Sequence, residues 1–303
     1  MTAPNGHAVL VGATASGKSE LAMELARRDP SWELISVDSM QVYRRMDIGT
    51  AKPSLAERAE VPHHLLDLLE PWEDGTVAWF QRRAQAAIAD IEARGRRALL
   101  VGGTGLYVQA VVDDLEIPRQ FADVRRILEG DSDTAALHER LRELDPVAAG
   151  RMEPGNRRRI LRALEVTLGS GRAFSSFGPG VDAHPPTSFA MVGLRRDGAE
   201  LRARIVDRFR QQMADGFLHE VIALRADPHG VSRTAAQALG YRELGEHLDG
   251  GGTLDAALDL AVRRTGRFAR RQWAWFRRDP RITWLDVAID DNPLVDDLAA
   301  VLG

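Results

Sequence analysis

Residues 9–26, "VLVGATASGKSELAMELA", give the clearest indication of the fold. The apolar start of this stretch predicts a buried strand and its glycines a tight loop, while "SELAMELARR" has the apolar spacing of a helix. Gly12, four further residues and then Gly17-Lys18-Ser19 match the spacing of a phosphate-binding loop. A glycine-rich turn without a ligand is the alternative. The strand before the loop and the helix after it favour phosphate binding.

The chemistry of such a loop follows from its backbone. Glycines let N–H groups converge on phosphate oxygens, and the dipole of the following helix attracts the same negative charge. Lys18 would reach the outer phosphate, and the Ser19 hydroxyl would bind Mg²⁺. Lys18 and Lys52 are the only lysines among 40 basic residues. A lysine at this position therefore fits a site that needs a compact ammonium group rather than a planar guanidinium.

The composition of the 303-residue chain is that of an ordinary globular protein, with 44% hydrophobic and 28% charged residues. The absence of cysteine excludes disulfides, cysteine-ligated zinc and a thiol nucleophile. No apolar run approaches the roughly 20 residues that a membrane-spanning helix needs. We expect no signal peptide, no membrane association and a cytoplasmic location.

Basic residues concentrate in two stretches, although the net charge is −4. Residues 151–172 contain six arginines against Glu153 and Glu165, and residues 263–278 contain seven arginines and no acid. The second stretch interleaves its arginines with Phe268, Trp273, Trp275 and Phe276. Cationic side chains contact phosphates and aromatic rings stack on unpaired bases, so this pattern indicates a polyanion such as RNA. The alternatives are a solvated helix face for the arginines and a place in the core for some of the aromatics.

Strands and helices alternate along the first 115 residues, which predicts a parallel α/β sheet. "ELISV" ends at Asp38, and "RRALLVGG" is followed by Thr104. Helical patterns alone continue from residue 116 until "FAMVGL" resumes the strand pattern after a Gly/Pro-rich loop. We predict an α/β fold of the P-loop NTPase-like type, formed by residues 1–115 and 189–303, with an all-helical insert at 116–188. The loop at 12–19, Asp38 and Thr104 would meet at the carboxyl edge of the sheet.

Asp38 stands at a strand end beside the predicted cradle. A carboxylate there could bind Mg²⁺, act as a general base or cap the next turn. The strand "ALLV" ends in "GGTG" rather than in an acidic residue. This weakens an interpretation as a hydrolytic NTPase.

Longer motifs occur in order between residues 9 and 277: "GATASGKS", "VDSMQVYRRMDIGTAKP", "PHHLLD", "VGGTGLYVQA", "RRILRALEV", "ALGYRE" and "RFARRQWAWFR". They resemble the motifs of a known family, the bacterial tRNA dimethylallyltransferases or IPP transferases. The resemblance covers nearly the whole chain. It implies that the loop holds the diphosphate of dimethylallyl diphosphate. The dimethylallyl group would pass to N6 of the adenosine 3′ of the anticodon, in tRNAs that read codons beginning with U, and pyrophosphate would leave.

The resemblance also assigns roles to residues. Asp38 would be the base near N6, with Lys18 and Thr104 as further catalytic groups and Ser19 as the ligand of the cofactor Mg²⁺. A cap on the next helix is the alternative for Thr104. The implied diphosphate-binding residues are Gly12, Ala13, Thr14, Ala15, Ser16, Gly17, Lys18, Ser19 and Arg208.

For tRNA, the resemblance assigns residues of four motifs together with Thr104 and one further arginine, with the insert holding the anticodon stem-loop. The implied residues are Asp38, Ser39, Met40, Gln41, Thr104, Arg125, Arg158, Arg159, Ile160, Leu161, Arg162, Gln237, Gly240, Tyr241, Arg242, Arg270, Arg271, Gln272, Trp275 and Arg277. Three positions depart from the family pattern: Ala13, where proline is usual, and Gly266 and Phe268, where a basic residue and tyrosine are common. For His63 and His64 we favour a structural role over metal binding.

Two other functions explain part of the pattern. A P-loop kinase of a small metabolite or nucleoside accounts for the loop and Asp38, but not for the arginine-rich stretches or the insert. A non-catalytic tRNA-binding module with a vestigial nucleotide site is the second alternative, and it predicts that Asp38→Asn leaves every measurable property intact. The resemblance favours the transferase, and we expect it to be a monomer.

Overall fold

A computed structural model describes residues 6–287 and 294–303. The chain forms two compact units. The first comprises Met1–Asp113 and Pro186–Gly303, and the second comprises Asp114–Pro185. The sequence-based prediction placed the insert at 116–188.

The first unit is built on an all-parallel sheet in the order β3-β2-β4-β1-β5-β6. Its strands are β1 (Ala8–Gly12), β2 (Trp32–Val37), β3 (His63–His64), β4 (Arg97–Gly102), β5 (Ala190–Arg195) and β6 (Thr283–Asp286). Every residue of β1 and β2 is buried, as expected for strands with helices on both faces. The predicted α/β class is confirmed.

Helices cover both faces of this sheet. They are α1 (Lys18–Arg28), α2 (Leu55–Glu60), α3 (Val77–Ala93), α4 (Gly105–Val112), α9 (Gly198–Ala214), α10 (Phe217–Arg225), α11 (Tyr241–Leu248), α12 (Leu254–Phe276) and α13 (Leu294–Leu302). Apolar side chains of β1 alternate between two cores. Val9 and Val11 pack in one, and Leu10 packs with Leu21 and Leu25 of α1 in the other. The strand–loop–helix unit is thereby held by burial on both sides.

Helix ends follow local capping chemistry. The Thr76 side chain accepts a hydrogen bond from the Trp79 amide at the start of α3. Gly95 follows the end of this helix with a φ of 69°, a conformation that glycine adopts without strain. The helix therefore ends just before a glycine, the residue type that this conformation favours.

The second unit is helical. Its elements are α5 (Ala122–Glu129), α6 (Thr134–Leu144), α7 (Pro146–Gly150), α8 (Arg157–Ser170) and a 3₁₀ turn (Phe174–Phe177). Asp133, Asp145 and Asn156 cap the starts of α6, α7 and α8 with their side chains. Leu137, Leu141, Ile160 and other apolar residues form a core of their own. Among the described residues of the whole chain, no helix is long and apolar enough to cross a membrane.

Candidate active site

The loop between β1 and α1 adopts a cradle conformation. Ala15 and Gly17 both have positive φ, at 62° and 97°. A Cβ added at Gly12 would lie 2.7 Å from Ser16 Oγ, so the loop closes tightly only with glycine there. Gly17 caps α1 without a side-chain hydrogen bond. The first N–H groups of this helix are thus left for a ligand, and an anion fits them best.

Lys18 adds a cation to the cradle, and its surroundings shift the pKa of its ammonium group. Its Nζ donates to the Ala13 carbonyl over 3.2 Å. Burial lowers the pKa of Lys18 to about 8; the nearby Asp38 carboxylate opposes this shift, and the Arg208 guanidinium adds to it. A diphosphate bound here would favour the charged form.

Arg208 brings a second cation from α9. Its Nη1 donates to Thr14 Oγ1 over 2.9 Å. Burial lowers the pKa of Arg208, while Asp38 and Glu20 act in the opposite direction. Its Nε is buried and has no hydrogen-bond partner within the described part of the chain. A buried guanidinium with an unused donor is suited to receive an anionic ligand.

Asp38 and Thr104 lie at the ends of neighbouring strands, β2 and β4. Asp38 Oδ1 accepts a hydrogen bond from the Met40 amide at 2.8 Å, so one carboxylate oxygen does cap the following turn. Thr104 Oγ1 accepts from the Ser39 amide at 3.3 Å and does not cap α4. The Asp38 charge acts on both Lys18 and Arg208. The structure thus brings the predicted catalytic residues to one edge of the sheet.

Gln272 requires a correction to the predicted tRNA surface. This residue of α12 is only 7% exposed. Its Oε1 accepts from the Thr14 amide at 2.8 Å, and its Nε2 donates to the Gly103 carbonyl at 2.9 Å. Both amide atoms are used inside the protein. Gln272 therefore fastens the cradle to the end of β4 instead of facing RNA.

Four other residues that were predicted to bind tRNA make contacts inside the protein. Gln41 accepts from Ser36 Oγ and donates to the Thr50 and Ala51 carbonyls, which fixes the next loop. The buried Tyr241 donates its hydroxyl to Glu220, and burial raises its pKa. Gly240 has a φ of 88° and lies against Phe217. Trp275 packs over Gly105, where an added Cβ would lie 2.4 Å from the indole.

Other residues that were predicted to bind tRNA are exposed at the protein surface and are accessible to a ligand. Gln237, Arg242, Arg270, Arg271 and Arg277 are exposed. Arg242 pairs with Glu246 at 2.9 Å, and Arg271 lies over the Phe268 ring. In the same stretch Phe276 is buried in the core, and Trp273 packs edge-on against Trp284. The arginines thus form an exposed face, whereas part of the aromatic set is core.

In the second unit, α8 carries both exposed arginines and an arginine that is bound to other groups of the protein. Arg158 and Arg159 are exposed and make no ion pair with any described residue. Arg162 instead donates to Glu165 at 2.6 Å and to the Pro118 carbonyl. Arg125, which lies on α5, pairs with Glu129. The predicted contacts of Ile160 and Leu161 need correction, because both side chains are buried in the core of this unit.

Several residues that organise the site were not identified from sequence. Glu220 accepts the amides of residues 47–49 within 3.1 Å, and Gln212 donates to the Ile48 carbonyl at 2.7 Å. Lys52 is buried between Asp47 and Asp67, at 2.6 Å from each. Such polar residues inside helices and loops give no motif signal, because their partners are remote in sequence. The rarity of lysine was the one available indication for Lys52.

The described residues contain no cluster of three or more acidic or histidine side chains that could hold a metal ion. His64 pairs with Glu33 at 2.7 Å, and His63 Nδ1 donates to the Val61 carbonyl, also at 2.7 Å. These contacts are structural, in agreement with the interpretation favoured from sequence.

Comparison with known proteins identifies the family. A family model described as IPP transferase matches residues 41–279, most of the chain. The chain belongs to the IPP transferase family. Its relatives in this family include a tRNA dimethylallyltransferase of Nocardioides sp., 48% identical over 97% of this chain and 94% of the relative. Another, from Desulforudis audaxviator, is 44% identical over 97% of this chain and 96% of the relative.

Solved structures of IPP transferases agree with the fold. The tRNA isopentenylpyrophosphate transferase of Bacillus halodurans is 38% identical, with a TM-score of 0.71 over 99% of this chain and 97% of that one. A eukaryotic dimethylallyltransferase described as acting on tRNA is 25% identical, with a TM-score of 0.80 over 98% of this chain and 78% of that one.

Proposed function

We propose that this protein is a tRNA dimethylallyltransferase. It transfers the dimethylallyl group of dimethylallyl diphosphate to N6 of the adenosine 3′ of the anticodon, in tRNAs that read codons beginning with U, and releases pyrophosphate. The observation that carries the proposal is one sheet edge with an anion cradle, two cations and a carboxylate, in a chain of the IPP transferase family.

The cradle serves the leaving group. Breaking the bond between the allylic carbon and its oxygen places negative charge on the departing diphosphate. Loop N–H groups, Lys18 and the unused Nε of Arg208 stabilise that charge where it develops. Gln272 keeps the Thr14 amide engaged and thereby holds this part of the loop in position.

Asp38 serves the nucleophile. The exocyclic amine of adenine is a poor nucleophile, so removal of its proton raises its reactivity. As the new carbon–nitrogen bond forms, one N6 proton passes to Asp38. Oδ1 is oriented by the Met40 amide, and Oδ2 remains for the substrate. Thr104, anchored at the Ser39 amide, borders the same space.

Mg²⁺ fits the donor set of this site. Ser19, in the first turn of α1, is exposed, and the described residues offer no acidic cluster that would enclose a cation. Mg²⁺ is commonly bound by one or two protein oxygens together with substrate phosphates. When bound, it would neutralise diphosphate charge.

Binding of tRNA would use exposed arginines on both units. Arg158 and Arg159 of the second unit and Arg270, Arg271 and Arg277 of α12 contact backbone phosphates. The target adenosine leaves its stack to reach Asp38, at a cost of roughly a few kcal/mol, which is smallest in a single-stranded loop. We further propose that the protein acts as a monomer in the cytoplasm, as the resemblance to its family implies.

The test is incubation with dimethylallyl diphosphate, Mg²⁺ and unmodified tRNA, followed by mass spectrometry of the nucleosides. We expect a dimethylallyl adduct on adenosine that depends on all three components. ATP consumption without tRNA would identify a kinase instead, and tight tRNA binding without transfer would identify a binding module.

A further inference from the structure

Ala15 occupies an unfavourable conformation in the cradle. The Ser16 amide donates to the Ala13 carbonyl at 3.2 Å, which closes a β-turn with Ala15 at its third position. Ala15 has a φ of 62° there, a value at which glycine is preferred, because the Cβ of an L-residue approaches the neighbouring carbonyl. The turn therefore requires support from elsewhere in the molecule.

Guanidinium groups from the α9 region supply this support. Arg204 Nε donates to the Ala15 carbonyl over 2.9 Å. Arg196, just before the helix, donates to the Ser16 carbonyl over 3.2 Å. The guanidinium of Arg204 also lies 3.7 Å from Glu20 in the first turn of α1. The Ala15 and Ser16 carbonyls are thus held by these two guanidinium groups.

Arg204 and Arg208 have different tasks, although one helical turn separates them. Arg208 reaches the Thr14 hydroxyl and keeps a buried Nε without a partner, so it has a donor left for a ligand. The Nε of Arg204 is used by the backbone of the loop. Because a peptide unit is planar, fixing a carbonyl also fixes the direction of the N–H that follows it.

We propose that Arg204 is a positioning residue for prenyl transfer, which holds Ala15 in the left-handed turn and so keeps the cradle formed before the diphosphate arrives. This inference rests on the proposed function of the cradle. Arg204 acts through the loop backbone and makes no contact with the reacting atoms.

Calorimetric binding of inorganic pyrophosphate with Mg²⁺ tests the inference in the full chain. Arg204→Ala should raise the Kd by about 5- to 30-fold, the range that corresponds to the penalty of a left-handed L-residue. In an Ala15→Gly background the same change should cost less than about threefold, because glycine needs no support at positive φ. Arg204→Lys, which keeps a donor, should fall between Arg204→Ala and the unmodified protein.

Matched controls distinguish the positioning role of Arg204 from a general effect of its charge and from an effect on folding. Arg210 lies on the same helix, is exposed and pairs with Asp207 at 3.0 Å. Arg210→Ala removes the same charge and should leave the pyrophosphate Kd unchanged. For Arg204→Ala we expect a higher KM for the donor, an unchanged KM for tRNA and an unchanged Tm.

Two outcomes overturn the inference in distinguishable ways. Equal costs of Arg204→Ala in the alanine and glycine backgrounds, with binding still dependent on Lys18, would show that Arg204 acts through its charge alone. Pyrophosphate binding that is no stronger in the unmodified protein than in Lys18→Ala would remove the proposed function of the cradle, and this inference with it.

Discussion

The two carboxylate oxygens of Asp38 are in different situations. Oδ1 accepts from the Met40 amide, whereas Oδ2 makes no hydrogen bond to any described residue. Asp38→Asn keeps an oxygen for the turn but cannot take a proton. We expect prenyl transfer to fall by about 10²- to 10⁴-fold with tRNA affinity preserved, measured by single-turnover kinetics and filter binding. A loss below tenfold would mean that Asp38 serves the turn and that another group accepts the proton.

Lys18 predicts a pH dependence of donor binding. Its pKa is lowered to about 8 by burial, so the ammonium loses its proton as pH rises through about 8. A bound diphosphate favours the charged form, and pyrophosphate affinity should fall by up to about tenfold per pH unit above this value. Lys18→Arg stays charged and serves as the control for the titration of pyrophosphate itself. Parallel pH profiles for the two proteins would contradict the prediction.

Helix α12 acts as a brace across the ends of β1 and β4. Gln272→Leu has a similar shape but leaves the Thr14 amide and the Gly103 carbonyl without their partner. Each orphaned group should lower the free energy of unfolding by about 1–3 kcal/mol, measured by chemical denaturation. The KM for the donor should rise and that for tRNA should not. An unchanged stability with weaker tRNA binding would restore Gln272 to the RNA surface.

Helix α8 offers an internal comparison between an exposed and an engaged arginine. Arg158→Ala should lower the slope of log tRNA affinity against log salt concentration by roughly 0.9, because one phosphate contact is lost. Arg162→Ala should instead destabilise the second unit, because it leaves the buried Glu165 without its closest cation. Binding titrations at several salt concentrations and thermal melts distinguish the two. Identical behaviour of both variants would contradict the division of this helix.

At the scale of the whole molecule, paired carboxylates predict loss of stability in acid. Burial alone would raise the pKa of Glu33, but hydrogen bonds from Arg94 and His64 outweigh it and hold the pKa below 4.5. Lys52 and Arg58 overcome burial in the same way and lower the pKa of Asp67 below 3.8. A carboxylate with a lowered folded-state pKa contributes stability above its unfolded-state pKa and loses it as pH falls through the folded value.

We therefore expect the free energy of unfolding to decrease slightly as pH falls below about 6.5, because burial lowers the pKa of His63, and to decrease more steeply below about pH 4.5, where the paired carboxylates lose their contribution. Glu33 links β2 to β3 through His64 and to the end of α3 through Arg94. Glu33→Gln should lower the stability at pH 7 and flatten the decrease in acid, measured by urea denaturation across pH. A steeper decrease in the variant would contradict this assignment.

Features that depend on neighbouring residues could be predicted from the sequence. Eight consecutive residues carry the spacing of the cradle, and burial on both faces makes β1 a continuous apolar run and leaves β2 and β4 largely apolar. The ends of parallel strands meet at one edge, so Asp38 and Thr104 could be placed beside the cradle. The long motifs identified the family. Strand β6 escaped prediction because its four residues are partly exposed and carry little pattern.

Which polar side chains point into the protein could be seen only in the folded chain. Gln272 meets Thr14 across 258 positions, and Arg204 meets Ala15 across 189. A helical spacing states which residues share a face, but not whether that face meets a carbonyl, a carboxylate or water. On α8, Arg162 donates to the Pro118 carbonyl, 44 positions away, whereas Arg158 on the same helix is exposed. This difference depends on groups far apart along the chain, which burial brings together and whose desolvation requires them to pair.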